Sequence, residues 1–229
     1  VNTVRLAIEP LGMRAGSPKA SSSGPDCDRG RSTDRRHTAW KTISTMGLLT
    51  FALNVTLDGC CDHRNMVADD EMHRYWTRTM DASGAMLFGR LTYELMEDAW
   101  PQVARDPKAK PADRSWAKKL EVKPKYVVST TRRDFPWSNT HLVEGDLTRA
   151  VKALKEATPR GLLVGSPQLS ATLARLDLVD EYRFVVHPVV AGHGPYLFPG
   201  LQPSPSLDLV ATRRLKSGIV TLHYRRRSQ

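Results

Sequence analysis

Twice along the chain a short, wholly apolar run ends in a glycine and gives way at once to a helix start. In the first, Ala85, Met86, Leu87 and Phe88 lead into Gly89, Arg90, Leu91 and Thr92. In the second, residues 161–164 lead into Gly165, Ser166 and Pro167. An apolar run with no polar alternation suits a strand covered on both faces, as in a parallel sheet with helices above and below. Ser166 is then a natural helix cap, and Pro167 fits the first helical position, where its missing amide costs nothing.

The remaining segments continue this alternation of strand and helix. From Leu49 the residues Leu49, Phe51, Leu53, Val55 and Leu57 recur at every second position and stop at Asp58-Gly59, the pattern of a half-buried strand closed by a turn. Asp69 reads as an N-cap, with Asp70 and Glu71 in the first turn and Met72, Trp76 and Met80 on one helical face. A helix from Leu91 to about Ala99 is expected to stop at Trp100-Pro101, because proline has no amide to continue the ladder. Residues 102–123, rich in Lys, Pro and Asp, read as a surface loop with one helical turn near Trp116. Strands are predicted at 125–129, 141–143 and 180–191. Helices are predicted behind Asp146, with Leu147, Val151 and Leu154 on one face, and behind Pro167, with Leu169, Leu173 and Leu176. Residues 207–215 and 219–225 form a hairpin across Lys216-Ser217-Gly218. The sum is an α/β fold of about eight strands and four helices, a largely parallel sheet whose last hairpin adds an antiparallel edge.

A chain of 229 residues, 40% hydrophobic and 25% charged, can build a proper core, and no apolar run approaches the roughly 20 residues of a membrane span. Residues 15–38 hold Ser, Gly, Pro, Arg and Asp with almost nothing to bury. The segment 1–46 therefore reads as a disordered extension, with Met46 as the natural start of a domain over 47–229. Cys60 and Cys61 are neighbours and Cys27 stands alone, so no disulfide framework is expected. With no secretory signal, the cytoplasm is the expected compartment. The net charge of +10 divides into +4 over residues 1–46 and +6 over the rest, part of it in Arg225, Arg226 and Arg227. A surplus so diffuse reads as a solubility feature, not a nucleic-acid surface.

The glycine junctions carry the chemistry. Gly89 and Gly165 let a phosphate approach the backbone, and the first helical amides point at it with the helix dipole behind them. Arg90 adds a cation and Thr92 a hydroxyl. Two such junctions in one parallel sheet favour a dinucleotide, its pyrophosphate between two helices at the carboxyl ends of the strands. A third strand ends in Ser129, Thr130, Thr131, Arg132 and Arg133. Hydroxyls followed by guanidinium groups suit a phosphate monoester, such as the 2′-phosphate that separates NADPH from NADH. There is no G-x-G-x-x-G with a distant acidic residue, and no P-loop lysine motif, which disfavours an ordinary Rossmann dehydrogenase.

Five motifs then fall in the order found in one family: Thr56-Leu57-Asp58-Gly59; Gly89-Arg90-Leu91-Thr92-Tyr93-Glu94; Gly165-Ser166-Pro167-Gln168-Leu169; Leu178-Val179-Asp180-Glu181; and Pro188-Val189-Val190-Ala191-Gly192-His193-Gly194. Over nearly all of 47–229 the chain resembles dihydrofolate reductase-like proteins, and more narrowly the reductase domain of the bifunctional riboflavin-biosynthesis deaminase–reductase. The resemblance implies an NADPH-dependent reductase, a homodimer acting on a C=N or C=O bond of a small heterocycle such as a pterin or pyrimidine. It assigns Gly89, Arg90 and Thr92 to the pyrophosphate, and Ser129 and Thr130 to the adenosine phosphate; the guanidinium pattern after the third strand adds Arg132 to these. Gly165, Ser166, Gln168 and Leu169 would line the cofactor cleft. Asp58 and Gly59 would lie beside the nicotinamide, with Asp58 as the candidate polar contact to substrate.

The departures are informative. Dihydrofolate reductases place a carboxylate on the first helix, whereas here His73 occupies about that place and becomes the candidate proton donor. The Trp-Pro before that helix is missing, which weighs against dihydrofolate as substrate. The deaminase half is absent, since no His-x-Glu is followed by Pro-Cys-x-x-Cys. His187 and His193 flank Pro188 without a third ligand, so no metal site is expected. Trp76, Tyr93 and Trp100 read as core. A protein that binds or senses NADPH without turnover is the alternative.

Overall fold

The computed structural model describes residues 46–66, 69–202 and 204–227, all within the unit Ser44–Gln229. The expected disordered extension (apart from Met46) and Cys27 lie outside the described residues.

Eight strands form one sheet: β1 (Leu49–Thr56), β2 (Ala85–Gly89), β3 (Lys125–Val128), β4 (Thr140–Val143), β5 (Leu162–Val164), β6 (Glu181–His187), β7 (Leu207–Arg214) and β8 (Val220–Arg226). Their order is β4-β3-β2-β5-β1-β6-β8-β7. From β4 to β6 every pairing is parallel, and β8 pairs antiparallel with both β6 and β7. Among the described residues five α-helices flank it: α1 (Asp70–Ala82), α2 (Arg90–Arg105), α3 (Pro111–Val122), α4 (Leu147–Ala157) and α5 (Pro167–Arg175). The two-residue period of the strands divides the core. Phe51, Leu87 and Val164 meet Val151 of α4 and Leu169 and Leu173 of α5 on one face. Ala52, Met86, Phe88 and Leu163 meet Met80 of α1, Tyr93 of α2 and Leu120 of α3 on the other. No helix among the described residues is long and apolar enough to cross a membrane.

Three local expectations are corrected. Helix α2 does not stop at Trp100-Pro101 but continues to Arg105. Proline in a helix interior costs about 3 kcal/mol. Here Trp100 packs on Trp116 of α3 with ring centroids 6.2 Å apart, and the Gln102 side-chain amide donates to the Asp98 carbonyl at 2.8 Å. Packing outweighs local preference. Residues 102–123 are not chiefly loop: they hold α3, a fifth helix that opens on Pro111 and buries Ala117 and Leu120. Strand β6 ends at His187 rather than running to 191, because Pro188 offers no amide and the Val189 N–H turns back to the His187 carbonyl at 2.8 Å.

The basic C-terminus is also not a loose tail. Arg225 binds the buried Glu181 at 2.6 Å, Arg226 pairs with Asp177, and Arg227 meets Asp208 at 2.5 Å. The Lys216-Ser217-Gly218 turn forms as expected, with Gly218 at φ +86° and the Leu215 N–H bonded to the Ile219 carbonyl.

Candidate active site

Parallel strands send all their carboxyl ends to one edge, so the segments after β1, β2, β3, β5 and β6 converge there. Strands β2 and β5 are neighbours, which sets the two glycine junctions side by side. The Gly89 N–H donates to the Ser166 hydroxyl oxygen at 3.0 Å, tying one junction to the other. Ser166 is the N-cap of α5, but its hydroxyl serves Gly89 and makes no cap bond within its own helix. Gly89, the N-cap of α2, has no side chain to cap with. The first amides of both helices, those of Leu91 and Thr92 and of Gln168 and Leu169, therefore have no intrahelical acceptor and no side-chain cap. Two positive helix ends open on one place.

The two glycines differ in how closely they are packed. A Cβ on Gly165 would lie 3.3 Å from the Ala52 carbonyl oxygen of β1, and one on Gly89 would lie 3.4 Å from Cβ of Leu169. The backbone of β1 is thus tight against Gly165, whereas Gly89 has ordinary contact distance to α5.

The charged groups are more committed than their sequence suggests. Arg90 reaches Glu94, one turn along α2, at 2.9 Å. Arg132 binds Glu97 at 2.8 Å and lies over the rings of Tyr93 and Phe135, 5.2 and 5.3 Å from their centroids. It thereby clamps the loop after β3 onto α2. The Ser129 hydroxyl accepts from the amides of Thr131 and Arg132 at 3.3 and 2.9 Å, shaping that loop, while Thr130 stays exposed. Among the described residues Arg133 has a 3.6 Å contact with the exposed Glu144.

Asp58 fastens two loops. It accepts from the Thr56 hydroxyl at 2.5 Å and from the amides of Ala191 and Gly192 at 3.1 and 2.9 Å. The Thr56 hydroxyl, followed by the two amides, lowers its pKa to about 2. Asp58 is thus a permanent anion at neutral pH and no proton donor. Gly59 completes the turn at φ +82° with open space around it. His73 sits in α1 facing α3, with Nδ1 3.9 Å from an Asp113 oxygen and its ring edge-on to Trp116. The strand ends thus gather Gly89, Arg90, Gly165, Ser166 and Leu169 closely, Arg132 joins them through α2, and His73 stands apart between two helices.

One group escaped sequence reasoning. The Asn54 side-chain oxygen of β1 accepts from Trp76 Nε1 at 2.9 Å and lies 3.4 Å from His187 Nε2 of β6. His187 is fully buried, and burial lowers its pKa, favouring the neutral ring. The available signal was Asn54 itself, a polar residue in line with Thr50 and Ala52 on the helix-covered face of a strand. Among the described residues no group of three or more His, Cys, Asp or Glu side chains is placed to hold a metal.

Comparison with known proteins agrees with this fold. The uncharacterized Bacillus subtilis (strain 168) protein YyaP is 29% identical over 178 residues, covering 75% of this chain and 91% of that one. A crystal structure of a Shewanella sp. PV-4 protein provisionally assigned to riboflavin biosynthesis superposes with a TM-score of 0.61 at 18% identity, over 79% of this chain and 99% of that one. Dihydrofolate reductase from Enterococcus faecalis, solved with NADP(H), superposes with a TM-score of 0.54 at 11% identity, over 80% and 98% of the two chains. The RibD C-terminal domain family matches residues 48–221, and with three quarters of its length inside that match the chain belongs to this family.

Proposed function

We propose that the protein is an NADPH-dependent reductase that delivers hydride to a C=N or C=O bond of a small heterocycle of the pyrimidine or pterin kind, working in the cytoplasm as a homodimer. The observation that carries this reading is the pair of uncapped helix N-termini tied together by the Gly89–Ser166 hydrogen bond. Their free amides, with Arg90 beside them, suit the pyrophosphate of a dinucleotide. Ser129 and Thr130 would meet the adenosine phosphate. Arg132 would hold their loop in place from Glu97, leaving Arg133 the freer cation of the pair. Gln168 and Leu169 would line the cleft through their amides, and Thr92 would add its hydroxyl to Arg90.

When bound, NADPH supplies the hydride. The chain's own residues orient and desolvate the reacting groups. Asp58, held ionised, locks the loop after β1 to the loop after β6 and would present Gly59 and the rim of the pocket to the nicotinamide and substrate. The proton must then come from elsewhere, and His73, beside Asp113, is assigned that task. On this reading His73→Asn lowers kcat by about 10²-fold with little change in KM, the range usual for losing a general acid. An unchanged kcat removes His73 from the mechanism.

The test is to titrate NADPH and NADH while following tryptophan fluorescence and thermal shift, then to screen reducible pyrimidines and pterins. Preferential NADPH binding with turnover supports the reductase. Binding without turnover on any of these substrates leaves a non-catalytic NADPH sensor, and binding of neither cofactor ends both readings.

A further inference from the structure

A cavity with charged groups in its wall opens at the opposite edge of the sheet, where the parallel strands begin. It encloses about 500 Å³ between the C-terminal end of α1 and the starts of β1, β5 and β6, and its walls include Thr50, Arg160, Glu181, Arg183 and Arg225. A volume in this range is that of a small-molecule site. Thr50 and Thr56 are six residues apart on β1, so at about 3.3 Å per residue this cavity lies roughly 20 Å from the end of β1 where the loops described above begin.

Its charge is unusual for a structural ion-pair cluster. Glu181 is buried and is shared by Arg225 at 2.6 Å, His223 at 3.1 Å and Arg183 at 3.5 Å. One carboxylate is thus surrounded by two permanent cations and an imidazole, and Arg160 adds a third guanidinium at the rim. The Arg183 Nε is buried and has no hydrogen-bond partner among the described residues. A buried donor left unmade is costly and calls for an acceptor. The negative end of α1 does not use up this cationic charge on its own. Its carbonyls are met by Lys123, which donates to Met80 and Ser83 at 2.9 and 2.7 Å, and Arg160 donates to Asp81 while remaining on the rim.

We infer that this cavity is a second ligand site, which takes a small metabolite bearing an oxyanion, either phosphoryl or carboxylate. Arg183 and Arg225 are held in fixed orientation by Glu181 and keep N–H groups to offer a second acceptor, as guanidinium forks do for such oxyanions. The half-exposed Leu48 and Met46 at the mouth would contact the body of the molecule.

Calorimetric titration of the full chain with inorganic phosphate, pyrophosphate and citrate, at constant ionic strength set with chloride, separates the phosphoryl and carboxylate sources. Arg183→Lys keeps the positive charge beside Glu181 but loses Nε and the fork. It should weaken the best of these anions at least tenfold and leave NADPH affinity unchanged. In the wild type, the Nε–H resonance of Arg183 should shift on saturation with that anion, a readout independent of how well the variant folds. Binding by none of the three anions, an unmoved Arg183 resonance, or equal affinity in the variant would each overturn the proposal. Because the test does not require turnover or cofactor binding, its failure leaves the reductase reading untouched, and the reverse also holds.

Discussion

The two edges of the sheet answer the same electrostatic problem in opposite ways. At the carboxyl edge, helices α2 and α5 present unmatched amides, and the chain surrounds them with glycine and hydroxyls and with arginines already paired to glutamates. At the amino edge, helices present carbonyls, and buried lysines stitch them down. Lys125 is fully buried and donates to the carbonyls of Leu120, Glu121 and Lys123 at 2.7, 3.2 and 2.8 Å, closing the end of α3. Lys155 of α4 binds Asp180 at 2.6 Å, and the same carboxylate oxygen accepts the Leu49 N–H at 2.7 Å. A parallel sheet makes this asymmetry unavoidable, because every crossover helix runs antiparallel to its strands. One edge is left open to anions and the other is closed by the protein's own cations, except where the arginine-lined cavity interrupts it.

This contrast can be broken at either end. The largest effect should come from Asp180→Ala, which leaves the Lys155 charge buried and the Leu49 amide without an acceptor. A loss of about 3–5 kcal/mol is expected in urea unfolding, with NADPH affinity per folded molecule unchanged. Gly165→Asp should do the reverse. Its side chain meets the Ala52 carbonyl and sets a carboxylate against two positive helix ends, so NADPH affinity should fall about 100-fold, or about 2.7 kcal/mol, in a fluorescence titration. If both variants lose stability and binding together, the two edges are one cooperative unit and the contrast fails.

Lys125 sharpens the comparison through pH. Burial pulls its pKa from 10.5 down to about 8. Between those values the unfolded chain holds the proton that the folded chain has released, so unfolding free energy should rise with pH, by up to about 3 kcal/mol. Lys125→Met should flatten that slope in denaturation curves taken at pH 7.5 to 10.5. The smallest effect belongs to Ser166→Ala, which strips the Gly89 N–H of its acceptor. About 1 kcal/mol of stability should be lost, and NADPH affinity should fall by about threefold, since the helix amides themselves remain.

Much of the carboxyl edge could be read in advance, because its devices are local. A glycine after an apolar run, a serine before a proline and an aspartate before a helix each act within a few residues. Asp69 and Asp146 cap α1 and α4 through Met72 and Arg149 as their positions imply. The misreadings arose where distant packing overrode local preference. Pro101 reads as a stop until Trp116 is brought against Trp100, and α3 carries too few apolar residues to show a stripe. Arg132 reads as a free cation until Glu97 stands beside it at 2.8 Å.

By itself the sequence determined which segments are strands, where helices α1, α2, α4 and α5 begin and which glycines end the strands, since periodicity and capping are properties of neighbouring residues. The tertiary structure decided which of those ends lie side by side. The Ser166 hydroxyl became a bridge to Gly89, Asp58 became a clasp between two loops, and Glu181 gathered arginines from β6 and β8. The Gly89–Ser166, Ala191–Asp58 and Arg225–Glu181 contacts join residues 77, 133 and 44 positions apart. Such contacts depend on strand order and register, and those follow from how the whole core packs rather than from any local run of residues.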